Sequence, residues 1–66
     1  MENRSMNLIR INQVLQIVGV SRSHWYALIK NGQAPKPVKL SERVAVWVRE
    51  EVLDWIQSKV AEREQR

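Results

Sequence analysis

The chain of 66 residues has no cysteine. That excludes disulfides, thiolate zinc sites and thiol redox chemistry. It has one histidine, and a single imidazole with no thiolate leaves a metal too few ligands. No stretch approaches the ~18 apolar residues that a membrane helix needs. The opening Met-Glu-Asn-Arg-Ser-Met lacks the apolar core of a signal peptide, so the expected location is the cytoplasm. Repeats, low-complexity segments and linkers are absent as well. Only two glycines and two prolines occur, and each therefore punctuates the chain. The largest gap is electrostatic, because no acidic residue lies between Asn3 and Ser41.

What is present fills a small frame. A chain this short is expected to be one domain, with an ordered core from about residue 7 to 62 and flexible termini. It buries only about 60% of its unfolded surface, so stability is marginal. Trp25, Trp47 and Trp55 compensate, since each can bury roughly 150–250 Å². Their spread along the chain points to one shared core. The net charge is +4. Arg4, Arg10, Arg22, Lys30, Lys36 and Lys39 fall in the acid-free part, and every acid except Glu2 lies from Glu42 onward. A one-signed surface attracts a polyanion and speeds its capture. Charge alone reads as well as a plain solubilising surface.

Leu8-Ile9-Arg10 is a short extended apolar lead-in. Asn12 is placed to cap a helix, and Val14, Leu15, Ile17 and Val18 follow at helical spacing. Gly19 ends that helix in the left-handed conformation, giving a first helix from about Gln13 to Val18. Ser21 caps a second. Trp25, Leu28 and Ile29 form its apolar stripe, while Ser23, Tyr26, Ala27 and Lys30 project away and Arg22 and His24 flank it. Asn31-Gly32 stops it. Pro35 and Pro37 forbid helix and hold Gln33 to Pro37 extended. Val38-Lys39-Leu40 and Val44-Ala45-Val46-Trp47 are β-prone and joined by Ser41-Glu42-Arg43, a hairpin whose turn lacks glycine. Glu50, Glu51 and Asp54 then crowd the first turn of a third helix, where acids suit the positive end. Val52, Trp55, Ile56 and Val60 are its buried stripe, and the last residues from Glu64 fray.

Two short helices across Gly19-Val20-Ser21 make a helix-turn-helix, and the hairpin has the size of a wing. The exposed face of helix two is basic and polar, and aromatic at Tyr26. The hairpin adds Lys39 and Arg43. Each piece has a plainer reading: Arg22 and Lys30 as solvated charges, Tyr26 as a ring packed on the edge, Lys36 and Lys39 as solubilising groups. His24 tempts a catalytic reading, but helix neighbours do not face each other and no carboxylate lies nearby in sequence. The acids at the start of helix three are explained by the helix dipole. No enzyme, cofactor, metal, membrane or small-molecule substrate is expected.

The ordered string Leu8-Ile9-Arg10, Val14-Leu15, Gly19-Val20-Ser21-Arg22-Ser23, Tyr26, Leu28-Ile29-Lys30, Gly32, Pro35-Lys36-Pro37-Val38-Lys39-Leu40, Arg43, Trp47, Glu51-Val52 and Trp55-Ile56 resembles the AlpA family of prophage regulators. The resemblance covers roughly residues 7 to 61. It implies a mainly α winged helix-turn-helix, three helices plus a small β-hairpin, related to excisionases and MerR-type DNA-binding domains. Family members are small phage or genomic-island proteins. They activate or repress promoters, often of an integrase gene, or direct excision. Carried over by position, the recognition helix at about 21–31 contributes Arg22, Ser23, Tyr26 and Lys30. The wing at about 38–47 contributes Arg43, with Lys39 beside it. Trp25 stands where the family has a small or aliphatic residue, Ala34 where it has an aromatic, Ala27 where a base is frequent, and Arg49 where a capping residue is usual. Trp25 is expected to fill volume vacated at Ala34, and helix three to start one residue away.

The expected partner is double-stranded DNA. Helix two enters the major groove and the wing meets the adjacent backbone or minor groove. Arg22, Ser23 and Tyr26 read bases; Lys30, Lys36, Lys39 and Arg43 hold phosphates. Further copies on DNA and an integrase are the expected protein partners. The competing readings are an excisionase-type factor that bends DNA and a protein-interaction module that leaves DNA untouched.

Overall fold

The computed structural model describes residues 7–64; the expectations attached to Glu2, Arg4 and the final two residues lie outside them. The order is β1 (Leu8–Ile9), α1 (Ile11–Val18), α2 (Arg22–Lys30), β2 (Val38–Ser41), β3 (Val44–Val48) and α3 (Arg49–Glu64). The fold is mainly α with a small antiparallel sheet, a winged helix-turn-helix.

Helix α1 starts two residues earlier than expected. The Arg10 N–H donates to Gln13 Oε1 at 3.1 Å, so a glutamine reaching back closes the first turn. The guanidinium of Arg10 has no acceptor to return the bond. Asn12 is an exposed residue inside the helix rather than its cap. At the other end Gly19 takes φ 77° and its N–H bonds the Leu15 carbonyl at 2.8 Å, the left-handed termination the sequence called for.

Helix α2 is closed at both ends. Ser21 Oγ accepts from the His24 N–H at 3.1 Å. After Lys30 the Gly32 N–H bonds the Ile29 carbonyl at 3.0 Å and the Gln33 N–H bonds the Leu28 carbonyl at 2.8 Å. Together these form the Schellman arrangement, made accessible by φ 74° at Gly32.

The lead-in at Leu8–Ile9 is a strand, which periodicity did not disclose. It pairs antiparallel with β3, Leu8 opposite Val48 and Ile9 opposite Trp47. The sheet order is β1-β3-β2, so the central strand is the apolar Val44–Val48. The hairpin turn is shorter than expected. Ser41 belongs to β2, and only Glu42 and Arg43 connect the strands.

Helix α3 follows β3 without a connecting residue. Its first N–H, on Arg49, bonds the Asn7 carbonyl at 2.8 Å. The residue leading into β1 thus supplies an acceptor at the helix start. Glu50 and Glu51 occupy the first turn; Asp54 lies beyond it. The helix continues through Glu64 rather than ending before it.

The core cluster takes one fully or nearly buried residue from each of five elements: Ile9, Val14, Trp25, Trp47 and Val52. Only β2 contributes none. Trp25 sits between two other indoles, 6.5 Å from Trp47 at 57° and 5.3 Å from Trp55 at 83°. These tilted and edge-on arrangements suit the ring quadrupoles. Ala34 packs against the same cluster. The Trp25 Nε1–H is buried with no hydrogen-bond partner among the described residues.

Candidate nucleic-acid interface

At 3.6 residues per turn, Arg22, Tyr26, Lys30 and Ser23 fall within an arc of about 100° on α2. All four are exposed, and Trp25, Leu28 and Ile29 turn the opposite side inward. The sequence-derived division of this helix into two faces is the one the fold uses. Among the described residues, Arg22 and Lys30 have no ion pair or side-chain hydrogen bond. No described residue neutralises their charge.

Tyr26 does two things. Its ring lies edge-on to Trp47, with centroids 6.2 Å apart at 61°, and the side chain remains 41% exposed. The contact joins α2 to the central strand of the sheet. Packing on the edge and an outward-facing surface are therefore both true of this residue.

The segment between α2 and the hairpin is tied down by two tryptophans. Trp55 Nε1 donates to the Gln33 carbonyl at 2.7 Å, and Trp47 Nε1 donates to the Pro35 carbonyl at 3.1 Å. Pro35 and Pro37 remove two backbone donors on either side of Lys36. Lys36 is thus an exposed cation on a stretch whose neighbouring carbonyls are pinned to core residues. Sequence reasoning placed both tryptophans in the core but missed these bonds, which span 22 and 12 residues.

The wing carries Lys39 and Arg43, both exposed. Lys39 Nζ donates to the Glu42 carbonyl at 3.2 Å, so the ammonium braces a turn that has no glycine to relax it. Arg43 has no such bond among the described residues. The structure links α2 to β3 through Tyr26 and Trp47, and Lys39 to the wing turn.

The remaining features lie elsewhere. A groove of about 350 Å³ is lined by Val18, Trp55, Ile56, Lys59, Val60 and Arg63, and none of the predicted contact residues is among them. Lys59 sits 5.7 Å from the Trp55 ring centre and 3.7 Å from Glu62. His24 is exposed at the start of α2, and its backbone N–H donates to Ser21 Oγ. No helix is long and apolar enough to cross a membrane among the described residues.

Comparison with known proteins adds a family to this geometry. The model for the prophage CP4-57 regulatory protein (AlpA) matches residues 7–60, from β1 into the last turns of α3. The chain belongs to the AlpA family. An uncharacterised protein, ORF88 of Enterobacteria phage P4, is 34% identical over 55 residues. That alignment covers 83% of this AlpA-family chain and 62% of the phage protein, so the chain spans less than two thirds of its relative's length. No solved structure matches the chain. Arg22, Ser23, Tyr26, Lys30, Lys36, Lys39 and Arg43 all fall inside the matched segment, as do the three tryptophans.

Proposed function

We propose that this AlpA-family chain is a sequence-specific regulator of transcription that binds double-stranded DNA in the bacterial cytoplasm, as one winged-helix unit. The observation that carries the reading is the exposed arc of α2. It holds Arg22, Ser23, Tyr26 and Lys30 opposite the buried stripe, in a part of the sequence free of acids. Helix α2 enters the major groove, where Arg22 pairs with a guanine edge and Ser23 and Tyr26 meet neighbouring bases. Lys30, Lys36, Lys39 and Arg43 contact phosphates and set the register. The wing meets the adjacent backbone or minor groove.

Binding by shape and charge needs no nucleophile, acid or cofactor, and the proposed role uses none. A single unit covers few base pairs, so several copies side by side supply useful specificity. An integrase bound to the same DNA is the other proposed partner. Activation, repression and control of excision would all use this surface.

The test is fluorescence anisotropy with labelled duplexes from the chain's own genomic neighbourhood. Binding is expected with a log–log salt slope of roughly −4 to −5, as for about four to six neutralised phosphates. Arg22→Ala is expected to cost about 1–3 kcal/mol and to relax discrimination at one base pair. Uniform weakening across all sequences would make Arg22 a phosphate contact. Indifference of the wild type to every duplex would leave the protein-interaction reading in place of this one.

A further inference from the structure

We propose that Leu40 is an apolar wedge that enters the minor groove of the bound duplex and kinks it at a base step. This rests on the DNA-binding reading above and adds to it a residue with no charge and a deformation of the DNA.

The first observation is exposure. Leu40 is 58% exposed, ahead of Leu8 at 44% and of Tyr26 and Val38 at 41% among the large apolar residues described. Isolated apolar side chains on a surface are ordinary, so exposure alone decides nothing. The second observation is register. Val38 faces Val46, Lys39 faces Ala45 and Ser41 faces Val44, with an irregularity between Lys39 and Ser41. Leu40 is the extra residue of that bulge and has no partner across the ladder. Bulges re-aim a side chain and increase local twist at sheet edges. Here the bulge lies on an edge strand that contributes nothing to the core.

The third observation is the setting. Lys39 precedes Leu40, and Arg43 follows it in the turn. The bond from Lys39 Nζ to the Glu42 carbonyl braces the wing tip. Lys39 and Arg43 bracket Leu40 in sequence, and the wing approaches the duplex with these two cations toward it. Cations on phosphates flanking the narrow groove bring an aliphatic side chain against sugars and base edges. Apolar side chains at this depth unstack a step and bend the duplex. A flexible pyrimidine–purine step at that position lowers the cost of the kink.

Leu40→Ser separates this from a structural role, because Leu40 lies outside the core cluster and the change leaves the Lys39 brace in place. Thermal stability is expected to stay at the wild-type value. Affinity for a single-site duplex is expected to fall about tenfold, the scale of a leucine side chain returned to water. The salt slope is expected to hold, since no counterion-releasing contact is lost, whereas Arg43→Ala makes it shallower by about 0.9. Energy transfer between dyes at the two duplex ends is expected to report a bend with the wild type, no bend with Leu40→Ser and a restored bend with Leu40→Met. Wild-type binding with an unaltered Leu40→Ser variant overturns the wedge alone. A loss seen only on duplexes with two or more sites overturns it too, and makes Leu40 a contact between copies. Absence of wild-type binding overturns the DNA reading and the wedge together.

Discussion

Helix α2 and the wing both present cations to solvent, yet they are held by opposite means. The helix is closed by Ser21 at one end and by the Gly32 turn at the other, and Trp25 anchors its middle at the centre of the core. The wing hangs from one strand. Its outer strand β2 has no buried residue, and a single lysine bond braces its tip. On the DNA-binding reading proposed above, the difference suits two tasks. Reading base edges needs side chains placed to within a fraction of an ångström, which a pinned helix provides. Following a backbone that bends needs an element that gives locally without disturbing the rest.

The largest effect that would sharpen this contrast comes from Trp25→Ala. Loss of the central indole is expected to cost about 3–5 kcal/mol. A chain of this length has only about 3–10 kcal/mol in total. Urea denaturation is expected to show a protein near or past its midpoint without denaturant. If the variant stays as stable as the wild type, α2 is not anchored by its core residue and the contrast collapses.

Gly32→Ala probes the end of the same helix. A Cβ there meets nothing within 4 Å, so the cost is that of the left-handed backbone alone, about 1–2 kcal/mol. Denaturation of the two proteins side by side measures it. A neutral result would mean the turn opens freely and that α2 is held only by its middle.

The smallest effect belongs to the wing. Lys39→Ala is expected to leave global stability within about 0.5 kcal/mol, as surface substitutions usually do, and to weaken DNA binding. The salt slope then decides its role. A slope shallower by about 0.9 marks a direct phosphate contact. An unchanged slope marks the turn brace acting on Arg43. Destabilisation on the scale of Gly32→Ala would show that the wing is as firmly built in as the helix.

What was legible in the sequence was chemistry that acts over three or four residues. Ser21, Gly19 and Gly32 announce helix ends because capping is local, and the two faces of α2 follow from spacing. The family resemblance carried the winged architecture across nearly the whole chain. What was not legible acts at a distance. Strand β1 is two residues long, and its partners Val48 and Trp47 lie far along the chain. Arg49 looks like a defect at a helix start until the Asn7 carbonyl appears beside it. Asn12 is a good capping residue by type, but Gln13 reaches back first and moves the boundary. The bulge at Leu40 depends on how a two-residue turn without glycine is accommodated, and no periodicity records that. The candidate contacts on α2 were read from spacing together with the family resemblance; the double duty of Tyr26 required knowing where Trp47 would lie.

A buried cluster shared by five elements has a consequence for how the molecule comes apart. Because β1, both short helices, β3 and α3 meet in that cluster, they are expected to unfold as a single cooperative event, as small domains usually do. The outer strand β2 stands outside that bargain and can fray while everything else persists. A copy of this protein in the cell is therefore either whole, with a wing that breathes, or gone. On the DNA-binding reading proposed above, few partially folded copies would then linger to occupy a site in place of a working one.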